Sequence, residues 1–203
     1  LYDIVSHDHD NYGYEKVCFL LLFGHLPSKE EEEQFISYIK DNYQLPKFFM
    51  EDVLLKNPSH NLMNHLQRAI LSLYSYDKDP DNIEPLVVME KGLSLLAKMP
   101  TIINYVYQAN RHFLHNDSLI LHQPNKDFSI AENILYMLKG ENNYSKEEVD
   151  MLDLALIIHA DHGGAPNSTF VDVVISSTGT DIYSSIAGSL GALKGPRHGG
   201  ANK

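Results

Sequence analysis

Apolar positions along the chain recur at helical spacing, and proline, glycine and capping residues mark the breaks between runs. From Tyr14 to Phe23 the apolar density predicts a buried helix, with Gly24 placed to close it. Leu26-Pro27-Ser28 restarts the chain. Ser28 with Glu31 is a capping box, Glu30 to Glu33 suit the positive end of the helix dipole, and Phe35, Ile39 and Tyr43 form the buried stripe. Further helices are predicted near 47–55, 61–74, 84–98, 101–115, 129–139 and 145–160. The breaks fall at Pro58, at 77–82, at Pro100, at 122–127 and at Gly140. Leu62, Leu66, Ala69, Ile70 and Leu73 make one apolar face, and Ser145 with Glu148 is a second capping box. Residues 1–12 are mixed and poorly periodic, and read as an arm or edge.

Two later segments are ambiguous on pattern alone. Phe170 to Ile175 (FVDVVI) is β-branched and favours a strand by propensity, but in a chain with no other strand-period segment it has no partner, and context favours a helix. From Asp181 to Leu193 the chain is rich in small residues, with Ser184, Gly188 and Ala192 on one helical face and Gly191 nearby. Glycine within a helix costs about 1 kcal/mol relative to alanine, so a second backbone is expected to come close. That backbone belongs either to this chain or to a partner subunit.

Composition narrows the function. The chain has 203 residues, enough for one self-sufficient core, with 16 Lys and Arg against 27 Asp and Glu and a net charge of −11. Phosphate neutralisation needs clustered cations, so nucleic-acid binding is not expected. Cys18 is the single cysteine and lies in the apolar run VCFLLLF, which excludes an intrachain disulfide and reads as a small buried hydrophobe. With no signal peptide and no apolar run near ~18 residues, a soluble cytoplasmic protein with no membrane partner is expected. The chain opens on Leu1 rather than methionine and stops at GGANK, and is expected to be part of something longer.

The residues that suggest chemistry lie between His159 and Lys203. His159 and His162, three apart, share a helix face, yet zinc needs a third ligand and Asp161 points elsewhere, so no metal is expected. The same holds for His7 and His9 around Asp8, which read as a solvated turn. A histidine closing a helix is favoured by the dipole, and one beside a glycine-rich turn is also suited to an anionic ligand. His198 carries more information. Gly195 and Pro196 stop the preceding helix, and Gly199, Gly200 and Ala201 follow it. Such glycines serve either tight turn geometry or the close approach of a ligand. A helix starting near His198 would keep its imidazole uncharged, as a hydrogen-bond donor to a carbonyl becoming an enolate requires.

HADHGGAPNSTF followed by STGTDIYSSIAGSLGALKGPRHGGAN resembles the large domain of citrate synthases, most closely the bacterial form. EKVCFLLLFGHLPSKEE, LQRAILSLYSYD, KMPTIINYVYQANR and ENILYMLKGE agree in order and spacing, so the resemblance runs over nearly the whole chain. It implies an all-α, multi-helical fold without a central sheet, with residues 1–203 as a single helical domain, the small domain absent, and 168–178 helical. The activity it implies is condensation of acetyl-CoA with oxaloacetate, then thioester hydrolysis to citrate, by a homodimer with no cofactor beyond its substrates. His198 matches the histidine of the family's GPxHGG motif and is expected to bond the acetyl carbonyl oxygen while the methyl proton leaves. His162 matches the oxaloacetate-binding histidine, and His159 its structural neighbour. Ser168 matches a position expected to hold the His198 ring.

Two departures qualify the resemblance. Some members carry an asparagine four residues after the oxaloacetate histidine; here that position is Pro166, and Asn167, one residue later, is the substrate-binding candidate. The resemblance also puts the catalytic aspartate, a further histidine, the carboxylate-binding arginines and most of the CoA site beyond Lys203, so residues 1–203 alone are expected to be inactive. Alternatives are a 2-methylcitrate synthase taking propionyl-CoA, a non-catalytic all-α dimerisation module, and a zinc-binding helical protein.

Overall fold

The computed structural model describes residues 13–161, 163 and 166–202, and every regular element among them is helical. In chain order these are α1 (Gly13–Phe23), α2 (Lys29–Asp41), a π-helical segment (Met50–Leu55), α3 (Leu62–Ser72) running into a 3-10 turn (Leu73–Tyr76), and α4 (Pro85–His115). Then come α5 (Ile130–Lys139), α6 (Lys146–His159), α7 (Asn167–Ser176), α8 (Ile182–Leu193) and a final 3-10 turn (Gly199–Asn202). None of the described helices is long and apolar enough to cross a membrane. The segment 1–12, including His7 and His9, lies outside the described residues.

Local chemistry accounts for most of the ends. Both capping boxes form, Ser28 with Glu31 and Ser145 with Glu148. Gly24 adopts φ +79° and its N–H bonds the Leu20 carbonyl at 2.8 Å, which closes α1 as its glycine predicts. Asp181 caps α8, accepting the Ser184 N–H at 2.8 Å.

Pro100 does not end a helix. The two helices predicted over 84–98 and 101–115 are one, α4, with Pro100 inside it. An interior proline costs about 3 kcal/mol, and tertiary packing outweighs it here. Ala97, Pro100, Thr101 and Ile102 are all buried, and the Thr101 hydroxyl donates to the Tyr43 carbonyl at 3.2 Å. The helix predicted at 47–55 is also altered. Phe48 takes a left-handed φ of 67° and a π-helix follows, closed by the Lys56 N–H on the Glu51 carbonyl. Phe49 and Leu54, five apart, are wholly buried, a spacing that a wide π turn serves better than a 3.6-residue one.

The described residues fall into two compact units. The first draws on Leu1–Gln44, Leu96–Asn104 and Leu121–His162. Its core joins Val17 of α1 to Ile157 of α6, with Phe35, Ile39, Tyr43, Ile102 and Met137 buried in the same unit. Cys18 is buried, and burial pushes its thiol up to about 12. The first unit also buries a carboxyl. Glu15 is 1% exposed, its Oε1 accepts the Ile130 N–H at the start of α5 at 2.7 Å, and its Oε2 has no hydrogen-bond partner among the described residues.

The second unit draws on Leu45–Leu95, Tyr105–Ile120 and Gly163–Lys203. Here α8 packs against α7 and α3. An added Cβ on Gly188 would lie 2.2 Å from Ile175 Cδ1 on α7, and one on Gly191 2.7 Å from Gln67 Nε2 on α3. Within this chain both glycines face side chains of neighbouring helices rather than a second backbone. Asp172 of α7 is pinned to α8: the Ser185 hydroxyl lies 2.7 Å from its Oδ1 and 3.1 Å from its carbonyl oxygen. His65 on α3 is fully buried, neither ring nitrogen has a hydrogen-bond partner among the described residues, and burial, with the Arg68 charge, pushes its pKa down.

Glu15 gives the first unit a pH dependence. Burial pushes its carboxyl up to about 7 from 4.5; the Ile130 N–H and Lys40 oppose this and Asp153 adds to it. The folded state therefore holds its proton more tightly than the unfolded chain, and stability present at low pH falls as pH rises through the folded value, by up to about 3 kcal/mol. Urea unfolding of the chain at about pH 5 and pH 8 is expected to show this loss, and Glu15→Gln, which keeps the acceptor for Ile130 but cannot ionise, is expected to reduce it. Equal slopes for the two proteins would contradict the assignment.

Candidate active site

The candidate site begins where α8 stops. The Lys194 N–H reaches the Leu190 carbonyl at 3.0 Å and the Gly195 N–H the Ala192 carbonyl at 3.1 Å. The Gly195 carbonyl then accepts both the His198 N–H at 2.9 Å and the Gly200 N–H at 3.1 Å. Pro196 and Arg197 are exposed on this turn, Lys194 and His198 half-buried. The glycines have a structural cause. A Cβ on Gly199 would lie 2.5 Å from Leu193 Cδ1 and 2.7 Å from the Leu193 carbonyl oxygen. One on Gly200 would lie 2.6 Å from the Lys194 carbonyl oxygen and 2.9 Å from that of Gly195. Of the two roles predicted for these glycines, the described residues account for turn geometry, in which the backbone folds back onto the end of α8.

The turn brings His198 to the start of α7, where Nε2 lies 3.1 Å from the Ser168 hydroxyl oxygen. Pro166 occupies the N-cap position and has no side-chain oxygen to give, and Asn167 is the first helical residue. Ser168 follows it, half-buried, while Asn167 is exposed and projects roughly 100° around the helix from Ser168. A neutral imidazole carries one ring proton. When the Ser168 hydroxyl donates to Nε2, that proton sits on Nδ1, leaving Nδ1 as the donor to a ligand.

His159 ends α6 with Nδ1 2.7 Å from the Ala155 carbonyl, a contact in which the ring donates to its own helix. His162 lies outside the described residues. No group of three or more His, Cys, Asp or Glu side chains converges as a metal site would among the described residues.

The family model for the citrate synthase C-terminal domain matches residues 2–203. The chain belongs to the citrate synthase family. The curated citrate synthase of Heyndrickxia coagulans is 32% identical over 191 residues, 94% of this chain and 49% of that protein. The crystal structure of citrate synthase from Pyrobaculum aerophilum is 39% identical with a TM-score of 0.79, covering 93% of this chain and 47% of that one. A citrate synthase from Thermoplasma acidophilum, solved as a ternary complex with carboxymethyl coenzyme A and oxaloacetate, is 28% identical with a TM-score of 0.80, covering 93% of this chain and 47% of that one. The chain spans about half the length of the curated relatives it matches.

Membership of the citrate synthase family agrees with the all-helical fold and with α7 as a helix despite its β-branched run. Asp172, Ser185 and Ser189 escaped the sequence reading. Their signal was present in Asp172 one turn after Ser168, and in two serines four apart on α8. Gly200→Ala is expected to destabilise the second unit by about 1–3 kcal/mol, because the methyl group meets backbone rather than a flexible side chain. It should also move the His198 ring resonances in NMR spectra, and a variant matching the parent protein in both would contradict the packing role.

Proposed function

We propose that these residues form part of an enzyme that condenses acetyl-CoA with oxaloacetate and hydrolyses the product to citrate and CoA. A carbon–carbon bond forms between the acetyl methyl carbon, which loses a proton, and the oxaloacetate carbonyl carbon. Water then cleaves the thioester C–S bond and CoA leaves as the thiol. His198 takes the carbonyl side of this chemistry, its Nδ1–H donating to the acetyl oxygen as negative charge develops there. Ser168 holds the ring from the opposite nitrogen, so the donor is oriented before substrate arrives. His162 and Asn167 bind oxaloacetate. The reaction needs no resident cofactor.

The observation that carries this reading is the 3.1 Å pairing of His198 with Ser168 in a chain whose family includes a relative solved with oxaloacetate and a CoA derivative. Charge adds a constraint. At a net charge of −11 the chain repels both anionic substrates at long range, so binding falls to local cations such as Lys194 and Arg197 beside the His198 turn. A cytoplasmic homodimer is the assembly that fits the proposal.

The test is steady-state kinetics on an enzyme of full family length that carries these residues. His198→Ala is expected to lower kcat by about 100- to 1,000-fold, the loss typical of a single oxyanion donor, with a smaller effect on the KM for oxaloacetate. His162→Ala is expected to raise the KM for oxaloacetate. Unchanged turnover in His198→Ala would overturn the proposal.

A further inference from the structure

We infer that Asp172 is a positioning residue: pinned to Ser185, it fixes the rotation of α7 on α8 and so holds Ser168 against His198. The claim about geometry stands on the fold, and only its consequence for turnover rests on the proposed function.

Ser168, Asp172 and Ile175 lie at i, i+4 and i+7, on one face of α7. Each makes a different contact with α8 or the turn that leaves it. Ile175 Cδ1 packs over Gly188, within 2.2 Å of where a Cβ would stand, and holds α7 close to α8. Asp172 Oδ1 accepts from the Ser185 hydroxyl at 2.7 Å, with the Ser189 hydroxyl at 3.5 Å. Ser168 meets His198 at 3.1 Å.

These contacts differ in what they fix. The Ile175–Gly188 contact sets a distance but leaves α7 able to roll. The Asp172 bond is directional, charge-assisted and anchored on Ser185, which is 3% exposed. A side-chain oxygen lies about 5–6 Å from a helix axis, so a roll of about 10° carries it about 1 Å. That is enough to take Ser168 out of hydrogen-bond range of His198. One turn separates Asp172 from Ser168, so a roll stopped at the first is stopped at the second.

The experiment reads the ring nitrogens of His198 by NMR, at fixed pH, in the full chain labelled with 15N-histidine. Ser168→Ala sets the reference for a ring without its partner. Asp172→Ala is expected to shift the His198 nitrogens in the same direction as Ser168→Ala, and the double variant no further than Ser168→Ala alone. Asp172→Asn keeps an acceptor for Ser185 and is expected to restore the parent shifts. Ser185→Ala removes the anchor from the other helix together with its 3.1 Å contact to the Asp172 carbonyl oxygen, so it should shift the nitrogens in the same direction and at least as far, and it decides the matter if Asp172→Ala does not fold. Parent-like His198 shifts in a folded Asp172→Ala or Ser185→Ala chain, or additive effects of Asp172→Ala and Ser168→Ala, would overturn the inference. These shifts involve no turnover, so failure of the citrate-forming reading in kinetics leaves this result standing, and the reverse also holds.

Discussion

The close packing of α8 on α7 and α3 is the interaction around which the second unit is built. A methyl group on Gly188 would lie 2.2 Å from Ile175 Cδ1, so any side chain at 188 would force the end of the Ile175 side chain to move. Gly191 repeats the condition toward α3. Each glycine weakens α8 as an isolated helix by about 1 kcal/mol, and packing against two neighbours offsets that cost. The turn leaving α8 continues the same logic, since Gly199 and Gly200 let the backbone fold onto Leu193, Lys194 and Gly195 and set down His198 beside Ser168.

Polar groups inside the helical layers supply direction that apolar packing lacks. The Asp172 carboxylate and the Ser185 hydroxyl fix how α7 sits on α8. In the first unit, the Glu15 carboxyl takes the first N–H of α5, tying α1 to the start of a helix distant in sequence. A buried group of this kind is costly when charged, which is why burial drives Glu15 toward its protonated form. Both contacts trade solvation for orientation. On the proposed function, the first of them orients the residue that holds the reacting histidine.

Much of the helical fold was legible because capping and periodicity are local. Ser28 with Glu31, Ser145 with Glu148 and Gly24 state their roles within four residues, and each takes that role. Pro100 misleads because its cost is local while the compensating burial of Ala97, Thr101 and Ile102 is not. The π-helix after Phe48 is similar: burial of Phe49 and Leu54 fixes the wider turn, and nothing in the local pattern announces it. At the candidate site, the motif around His198 was visible in the sequence. Which of two roles its glycines serve was not, because backbone clearance is a property of the folded turn. Asp172 was missed for a related reason, since a single acidic residue in a β-branched run reads as the solvent side of a helix until its neighbour is known.

On the proposed function, the His198 ring presents one nitrogen to Ser168 and the other to substrate. A crystal structure of an enzyme of full family length carrying these residues, with carboxymethyl coenzyme A and oxaloacetate bound, tests this most directly. Nε2 is expected still on the Ser168 hydroxyl, with Nδ1 within about 3 Å of an oxygen of the bound CoA derivative. A ring that leaves Ser168, or that keeps it while the ligand's reacting end lies beyond hydrogen-bond reach of Nδ1, would contradict it.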